Sequence, residues 1–318
     1  MKIKDWAAFT LLGTIWGSSF LWIKIGVQEI GPVLLVSLRL LFGILFLAVV
    51  AIIARPRLPK ERGVWIALII LGFINTAIPY VLITWGEQYI DSSVAAILNA
   101  TTPLFTMLIA QFFLRDDRMT LMRFAGLLIG FFGIAVLVSR DLDFNLASSV
   151  QVADTSNGPA IPPNYLKLLG QMAVLLASCL YAISSVFARR TTKGLSPIVL
   201  GLIPLLGADA VLWMLTYTIE SPVSFSVSGI TAFAVIWLGL MGTGFAFLLY
   251  FYLIHSVGPT RATLVTYVFP IVGIVLGVVF LGERLDWNLI LGCALIVGSI
   301  IVVNTRTGTQ VISQQVDV

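Results

Sequence analysis

Long apolar runs alternate with short polar connections from one end of the chain to the other. A helix needs about 20 apolar residues to cross the hydrocarbon of a bilayer, and these runs are of that length. The pattern therefore predicts ten transmembrane helices. They cover residues 6–26, 32–53, 64–85, 92–114, 120–139, 166–188, 197–219, 229–254, 260–281 and 285–303.

The composition excludes a water-soluble globular domain. Of the 318 residues, 59% are apolar and 11% are charged, and the mean hydropathy is +1.03. Soluble domains have about 45–50% apolar and about 25% charged residues. Ten spans use roughly 200 residues, so little beyond short loops remains. Cys179 and Cys293 lie in apolar runs without metal-like spacing, and we interpret both as packing residues.

The distribution of basic residues predicts the orientation. With ten spans, fourteen of the 19 Lys and Arg residues fall on the side of the N-terminus, four fall on the opposite side, and Arg39 lies inside a span. Because basic residues collect on the cytoplasmic side, both termini are predicted to be cytoplasmic in a multi-pass protein of the plasma (inner) membrane. The basic residues are too dispersed for a nucleic-acid surface, so no nucleic-acid partner is expected.

The longest connection divides the chain into two sets of five helices. Residues 141–165 are rich in Asp, Ser and Pro, a composition typical of a solvated linker. The predicted organisation is a first five-helix repeat over 1–140, an external linker over 141–165, a second repeat over 166–304 and a cytoplasmic tail over 305–318.

Eight residues recur between the halves at a constant spacing of 167 positions without a gap. The pairs are Leu71/Leu238, Gly72/Gly239, Thr76/Thr243, Leu82/Leu249, Ala95/Ala262, Pro103/Pro270, Phe113/Phe280 and Leu114/Leu281. Because five is odd, repeats in series enter the membrane from opposite sides. The predicted fold is an all-α polytopic membrane protein with ten transmembrane helices as two inverted five-helix repeats, an arrangement characteristic of secondary transporters.

The chain offers little to support catalysis. His255 is the only histidine, titratable residues do not cluster, and no P-loop pattern of Gly-Lys-Ser or Gly-Lys-Thr occurs. We therefore expect no enzyme activity, no catalytic residue, no cofactor and no metal.

Polar residues of the predicted fourth helix form a stripe. Ser92, Ala95, Asn99, Thr102 and Thr106 recur at spacings of three and four. Such a stripe is either an interhelical packing surface or the wall of a cavity. Asn99 is the strongest substrate-binding candidate among them, because its amide needs a partner and lies at mid-depth.

Other substrate-binding candidates are aromatic or hydroxyl-bearing. Trp16 and Ser19 lie in the first helix, and Tyr181 lies in the matching region of the sixth. Aromatic faces beside a cavity suit organic cations and amphipathic solutes. Thr243 and Tyr267 complete the set.

Two ionisable residues lie well inside predicted spans, Arg39 in the second helix and Asp209 in the seventh. Charges in a membrane are costly and usually functional, so Arg39 is predicted to orient an anionic group of the substrate or to form a gate. These two residues either form an ion pair with each other or each bond locally to backbone or water. Glu87 and Asp91, at the end of the third helix, are expected to be solvated loop carboxylates.

Three prolines lie within spans. Pro79, Pro103 and Pro270 each remove one backbone hydrogen bond and permit a kink. Pro103 and Pro270 occupy matching positions of the halves. We predict that the three serve as hinges for gating.

Several segments of the sequence resemble those of a known protein family. The segments that carry the resemblance are Trp16-Gly17-Ser18-Ser19-Phe20, the stretch from Tyr80 through Pro103-Leu-Phe105 to Gly126 and Gly133, and its echo from Phe247 through Pro270 to Gly282-Glu283-Arg284 and Gly292. They are similar to EamA-type transporters of the drug/metabolite transporter superfamily. The first half departs from the pattern, because Arg115-Asp116 stands where the second half has Glu283.

The resemblance implies two inverted repeats around a central substrate cavity and export of amino acids, other metabolites or toxic compounds. We expect a secondary transporter that exports small amphipathic organic metabolites such as amino acids by alternating access. The alternatives are a passive solute channel and a non-transporting structural or sensory membrane protein. The expected partners are a small-molecule substrate and the lipid bilayer, and a homodimer is an open possibility for assembly.

The orientation is testable by cysteine labelling. After Cys179 and Cys293 are removed, an impermeant maleimide applied to intact cells should label Ser149→Cys and leave Lys60→Cys unlabelled, because the linker is predicted to be external and residue 60 cytoplasmic. Labelling of Lys60→Cys from outside would overturn this topology.

Overall fold

The structure, a computed structural model, describes residues 2–113, 120–140, 163–192, 194–221, 227–257, 262 and 264–304. These ranges form helices joined by short connections and contain no strand. In chain order the helices are α1 (Ile3–Gly26), α2 (Pro32–Ala54), α3 (Arg62–Gly86), α4 (Ser92–Phe113), α5 (Leu121–Ser139), α6 (Pro163–Thr191), α7 (Pro197–Ile219), α8 (Gly229–Gly239, Leu240–Phe245 and Ala246–Val257 in succession), α9 (Leu264–Leu281) and α10 (Trp287–Asn304).

The helices confirm a polytopic membrane protein. Within the described ranges, nine helices are long and apolar enough to cross a membrane, and α10 adds a shorter apolar helix. Large apolar side chains point outward, with Ile53 78% and Val279 68% exposed, as a surface in contact with lipid requires. The helix α6 begins at Pro163 rather than at 166. Most of the predicted linker (141–162) and the predicted tail (305–318) lie outside the described residues.

Helix pairing is symmetric between the halves. The helix α1 packs on α8 and α9, and α6 packs in the same way on α3 and α4. The pairing of α2 with α8 matches that of α7 with α3, while α2 packs on α7, α4 on α9 and α5 on α10. Each of these pairs therefore maps onto another of them, or onto itself, when helix numbers are shifted by five. Two equivalent halves would give such a pattern, and both the repeat and its inversion across the membrane stay a prediction.

Two helices contain π-helical segments. In α3 the segment is Phe73–Ala77, and in α8 it is Leu240–Phe245. Pro79 follows the first segment and lacks the N–H that an α-helix needs, whereas the second contains Gly242 and Gly244, which weaken a regular helix. The segments begin at residues 73 and 240, a separation of 240 − 73 = 167 positions. Both are places where the backbone departs from the regular helix and its hydrogen bonds are rearranged.

The helix α4 is interrupted between Asn99 and Thr102. Pro103 has no N–H to give to the carbonyl of Asn99, and the Thr102 hydroxyl donates to that carbonyl instead, at 2.8 Å. The helix α9 has a matching irregularity, since the 3₁₀ turn Leu264–Tyr267 precedes its α-helical part and Pro270. Pro79, Pro103 and Pro270 thus each lie at an irregular backbone segment, and their gating role stays a prediction.

Glutamates from loops cap helix N-termini in other parts of the chain. Glu220, after α7, accepts hydrogen bonds from the backbone N–H groups of Val33 and Leu34 at 2.9 and 2.8 Å, at the start of α2. Glu29, after α1, accepts from the N–H of Ser228 at 2.7 Å, at the start of α8. A helix begins with N–H groups that have no partner inside the helix, and carboxylates satisfy them well.

Glu283 caps α4 in the same way. It accepts from the backbone N–H and hydroxyl of Ser92 and from the N–H of Ser93, at 2.6, 2.7 and 3.0 Å. Gly282 ends α9 at a φ of 66°, which favours glycine and turns Glu283 towards α4. A Cβ on Gly277 would overlap the Glu283 carboxylate, so glycine there permits the approach.

These glutamates define one end of the bundle, which we call the capped end. Every cap joins one half of the chain to the other, because Glu29 lies in the first half and Glu220 and Glu283 lie in the second. Arg140 adds ion pairs with Asp91, at 3.0 Å, and with Asp286. Asp91 was expected to be a solvated loop carboxylate, and its side chain is 39% exposed while it pairs with Arg140. The predicted topology makes the capped end external.

The cap on α2 predicts a measurable loss of stability. Glu220→Gln removes the charge and one acceptor, so it should lower the free energy of unfolding by about 1–2 kcal/mol. The matched control is Glu61→Gln, since Glu61 precedes α3 and its side chain makes no cap hydrogen bond. Thermal unfolding in detergent measures both, and equal unfolding temperatures for the two variants would contradict the cap.

Candidate functional site

Arg39 lies buried in α2 beside the π segment of α8. Its Nε donates to the Thr243 hydroxyl at 3.1 Å, and Thr243 in turn donates to the carbonyl of Leu238 at 3.0 Å. The guanidinium carbon lies 4.0 Å from the centre of the Tyr80 ring, a cation–π contact with α3. Only 5% of Arg39 is exposed. A cation therefore lies in the interior with a hydroxyl and an aromatic face as neighbours.

Trp16 and Ser19 of α1 approach the same π segment. The Trp16 indole N–H donates to the carbonyl of Gly242 at 3.1 Å. A Cβ built on Gly242 would lie 3.2 Å from the Ser19 hydroxyl and 3.8 Å from an Arg39 nitrogen, so both side chains border this glycine. Four predicted site residues, Trp16, Ser19, Arg39 and Thr243, thus meet at one backbone irregularity.

Tyr181 belongs to this region from the side of α6. It packs against two apolar clusters of the core, one of which includes Tyr80, and it is within electrostatic reach of both Tyr80 and Arg39. One turn further, the Ser184 hydroxyl donates to the Asn75 side chain at 2.7 Å, within the π segment of α3. The α3 segment therefore has its own polar contact with α6.

Asn99 is half-buried in a stretch of α4 whose other residues, from Ser92 to Thr101, are all buried. Because α4 is covered on all sides there, the accessible part of Asn99 faces a space between helices. Its side-chain oxygen is 3.4 Å from the Thr102 hydroxyl. Tyr267, in the 3₁₀ turn of α9, packs on the same core cluster as Trp16 and Tyr181. The contacts described here do not join Asn99 or Tyr267 to Arg39.

The structure does not form the Arg39–Asp209 ion pair. Arg39 is engaged by Thr243 and Tyr80, as described above. Trp213 lies one turn further along α7 as a neighbour of Asp209, and the Asp209 Oδ1 is buried without a hydrogen-bond partner among the described residues. Local bonding of Asp209, the alternative arrangement, stays a prediction.

The expectation for Glu87 was wrong. It was taken for a solvated loop carboxylate, but its exposed fraction is 0%. The loop that carries it is folded under α1, whose Lys24 ammonium donates to the carbonyls of Glu87 and Ile90 at 2.6 and 2.7 Å.

Sequence reasoning missed three residues of this region, Tyr80, Asn75 and the backbone of Gly242. A signal was present, because Gly72/Gly239 and Thr76/Thr243 recur at the repeat spacing and border or lie in the two π segments. Matching polar and small residues marked both irregular stretches, but nothing in the pattern distinguishes a π segment from a regular helix.

The region around Arg39 combines a cation, hydroxyl groups and aromatic faces. Within the described ranges, no group of three or more His, Cys, Asp and Glu side chains could hold a metal ion. Arg39 offers a planar cation, Trp16 and Tyr80 offer aromatic faces, and Thr243 and Ser19 offer hydroxyls. A small solute with one anionic group and an apolar part would complement this set.

Comparison with known proteins identifies the family to which the chain belongs. The sequence model of the EamA-like transporter family matches residues 6–139 and 168–305. The chain belongs to this family. It is therefore a membrane transporter, and the two matched segments correspond to the two halves on either side of the longest connection.

Relatives carry transporter names. The uncharacterized inner membrane transporter YedA of Escherichia coli (strain K12) is 30% identical over 281 residues, covering 88% of this chain and 83% of that protein. The uncharacterized transporter YoaV of Bacillus subtilis (strain 168) is 25% identical over 282 residues, covering 89% and 90%. A crystal structure of a protein that is 20% identical has the same fold, with a TM-score of 0.63 over 100% of both chains.

Substitution of Asn99 tests whether its side-chain amide binds solute. Asn99→Leu should reduce transport at least about tenfold while the protein still folds, because leucine is tolerated in the bundle and only polar recognition is lost. The control is Thr106→Val on the same helix, whose hydroxyl bonds to its own helix at the carbonyl of Thr102. If Asn99→Leu instead unfolds the protein without a separable transport defect, Asn99 is a packing residue.

Proposed function

We propose that this protein is a carrier that exports small amphipathic organic metabolites such as amino acids by alternating access. The observation that supports the substrate class most directly is Arg39, a buried cation at the π segment of α8. Its described neighbours are the Thr243 hydroxyl and the Tyr80 ring rather than a carboxylate. A solute carboxylate would supply the missing negative charge.

Arg39 has donors to spare for a carboxylate. Guanidinium presents five N–H groups, and the hydrogen bond to Thr243 uses the one on Nε. The two terminal nitrogens match a carboxylate in bidentate geometry, which gives direction as well as affinity. Trp16 and Tyr181 then border the region with aromatic surface for the apolar part of the solute.

Alternating access is supported by how the halves are joined. The caps by Glu29, Glu220 and Glu283 all cross between the halves at one end. Separation of these contacts would unfasten the capped end, and the helix pairs that join the halves along the bundle would then have to reorient for the interior to open. Movement of one repeat against the other around a fixed central site is how repeat-built transporters work.

The charge distribution supports a cellular location and an orientation for this carrier. Basic residues are concentrated on the side of the N-terminus, which supports a plasma-membrane location with both termini in the cytoplasm. The name of the Escherichia coli relative places that protein in the inner membrane. On this orientation the capped end is external, and a metabolite leaving the cell passes it last.

Counterflow in proteoliposomes tests the proposal. Purified protein loaded with a mixture of unlabelled amino acids should take up labelled amino acids with saturation and trans-stimulation. A passive channel would pass solute without either property, and a structural or sensory protein would pass none.

Substitution of Arg39 tests the proposed substrate class in the same counterflow assay. Arg39→Leu should reduce uptake of solutes with a carboxylate by about tenfold to a hundredfold, because a charge-assisted hydrogen bond contributes about 1.5–3 kcal/mol. Arg57→Leu removes the same charge from an exposed loop and should transport normally. Equal uptake by both variants would show that Arg39 does not bind the solute.

A further inference from the structure

Glu87 is a fully buried carboxyl group without hydrogen-bond partners. It follows the last residue of α3, its exposed fraction is 0%, and both of its carboxylate oxygens lack a partner among the described residues. An ionised carboxylate removed from water needs donors to replace its hydration, and without them the cost is several kcal/mol or more. The neutral, protonated form avoids most of this cost.

Three charged groups act on Glu87 from the surrounding elements. They are Lys24 of α1, Glu283 of the loop between α9 and α10, and Arg39 of α2. Lys24 directs hydrogen bonds to the backbone carbonyls of Glu87 and Ile90 rather than to the carboxylate. From α6, Gly170 packs closely on Gly86, and the nearby Lys167 is exposed.

Glu283 and Glu87 interact electrostatically and have opposite environments. Glu283 receives three hydrogen bonds at the N-terminus of α4, which suits an ionised carboxylate. Glu87 receives none and feels the charge of Glu283 as repulsion. When two acidic groups are so placed, the one with donors keeps the charge and the other keeps the proton.

We propose that Glu87 is a proton-binding site that links proton release to opening of the capped end. In the conformation seen here Glu87 holds a proton in a dry space behind the Glu283 cap. When α4 parts from the α9–α10 loop, water reaches Glu87, the O–H bond breaks, the proton passes to that water and the carboxylate is hydrated. The inference rests on the proposed carrier function and assigns it a coupling ion, H⁺.

The sign of the pH dependence follows from linkage. A group that binds its proton more tightly in the closed conformation than in the open one stabilises the closed conformation at low pH. That contribution is lost as the pH rises. The ratio of open to closed protein should therefore rise about tenfold for each pH unit between the two titration points.

A buried reporter cysteine measures the opening without any substrate. Ser93 is 1% exposed, and its N–H donates to Glu283, so Ser93→Cys should react with a thiol reagent only when the capped end opens. Gln88→Cys at the same end is exposed and corrects for the intrinsic effect of pH on thiols. Both are made without Cys179 and Cys293, and the protein is held in nanodiscs so that both faces are accessible.

The corrected labelling rate of Ser93→Cys should rise about tenfold per pH unit over the titration range. Adding Glu87→Gln, which imitates the protonated acid, should keep the rate low at every pH. Adding Asp209→Asn, which alters the other buried acid with an unpartnered oxygen, should leave the rise unchanged. A flat rate with Glu87 intact, or a rise that persists in Glu87→Gln, would overturn the proposal.

Infrared spectroscopy provides a second readout that does not depend on the reporter. At pH 7, where exposed acids are ionised, the Asp209→Asn protein should show the carbonyl band of a protonated carboxyl group. The absence of that band would also overturn the proposal. Failure of the carrier function would appear differently, as pH-dependent opening in a protein that shows neither saturation nor trans-stimulation in counterflow.

Discussion

The structure depends on one constraint, that backbone polar groups shielded from water must find partners inside the protein. Regular helices meet it along their length, but each helix start leaves N–H groups without intrahelical partners. Here Glu29, Glu220 and Glu283 satisfy three such starts, and each does so for a helix of the other half. The groups that complete the helices are therefore the same groups that hold the two halves together at the capped end.

The same constraint explains where the polar region lies. Pro103 leaves the carbonyl of Asn99 without its helical partner, and the neighbouring Thr102 hydroxyl replaces it. In α8 the backbone of the π segment accepts from Trp16 at Gly242 and holds Thr243 against Arg39. Irregular backbone in a membrane protein is tolerated where it is buried and bonded by other helices. The candidate binding residues at the π segment of α8 consequently lie at irregular backbone in the interior, away from lipid.

The spans could be predicted from the sequence because the length of an apolar run is a local property that the bilayer thickness fixes directly. The grouping of Trp16, Arg39 and Thr243 could be suspected from residue type, but their contacts join residues more than 200 positions apart. The π segments were not predictable, since the proline and glycines beside them are also frequent in regular transmembrane helices. Glu87 was misjudged because polar neighbours such as Gln88 indicate a loop. Its loop is covered by neighbouring helices instead, since Lys24 of α1 bonds to its backbone carbonyl and Gly170 of α6 packs on Gly86.

Two buried ionisable residues, Arg39 and Glu87, differ in whether they can give up their charge. Arg39 retains its charge, because a guanidinium does not lose its proton in proteins, so its compensation must come from outside or from the ring of Tyr80. Glu87 can lose its charge by taking up a proton. Moving a two-state equilibrium from 1:99 to 99:1 takes about 5.5 kcal/mol, and the caps by Glu220 and Glu283 contribute about 1–2 kcal/mol each. In the proposed carrier, a solute at Arg39 and a proton at Glu87 would act on a difference of that size, so that binding of either would shift which end of the bundle is open.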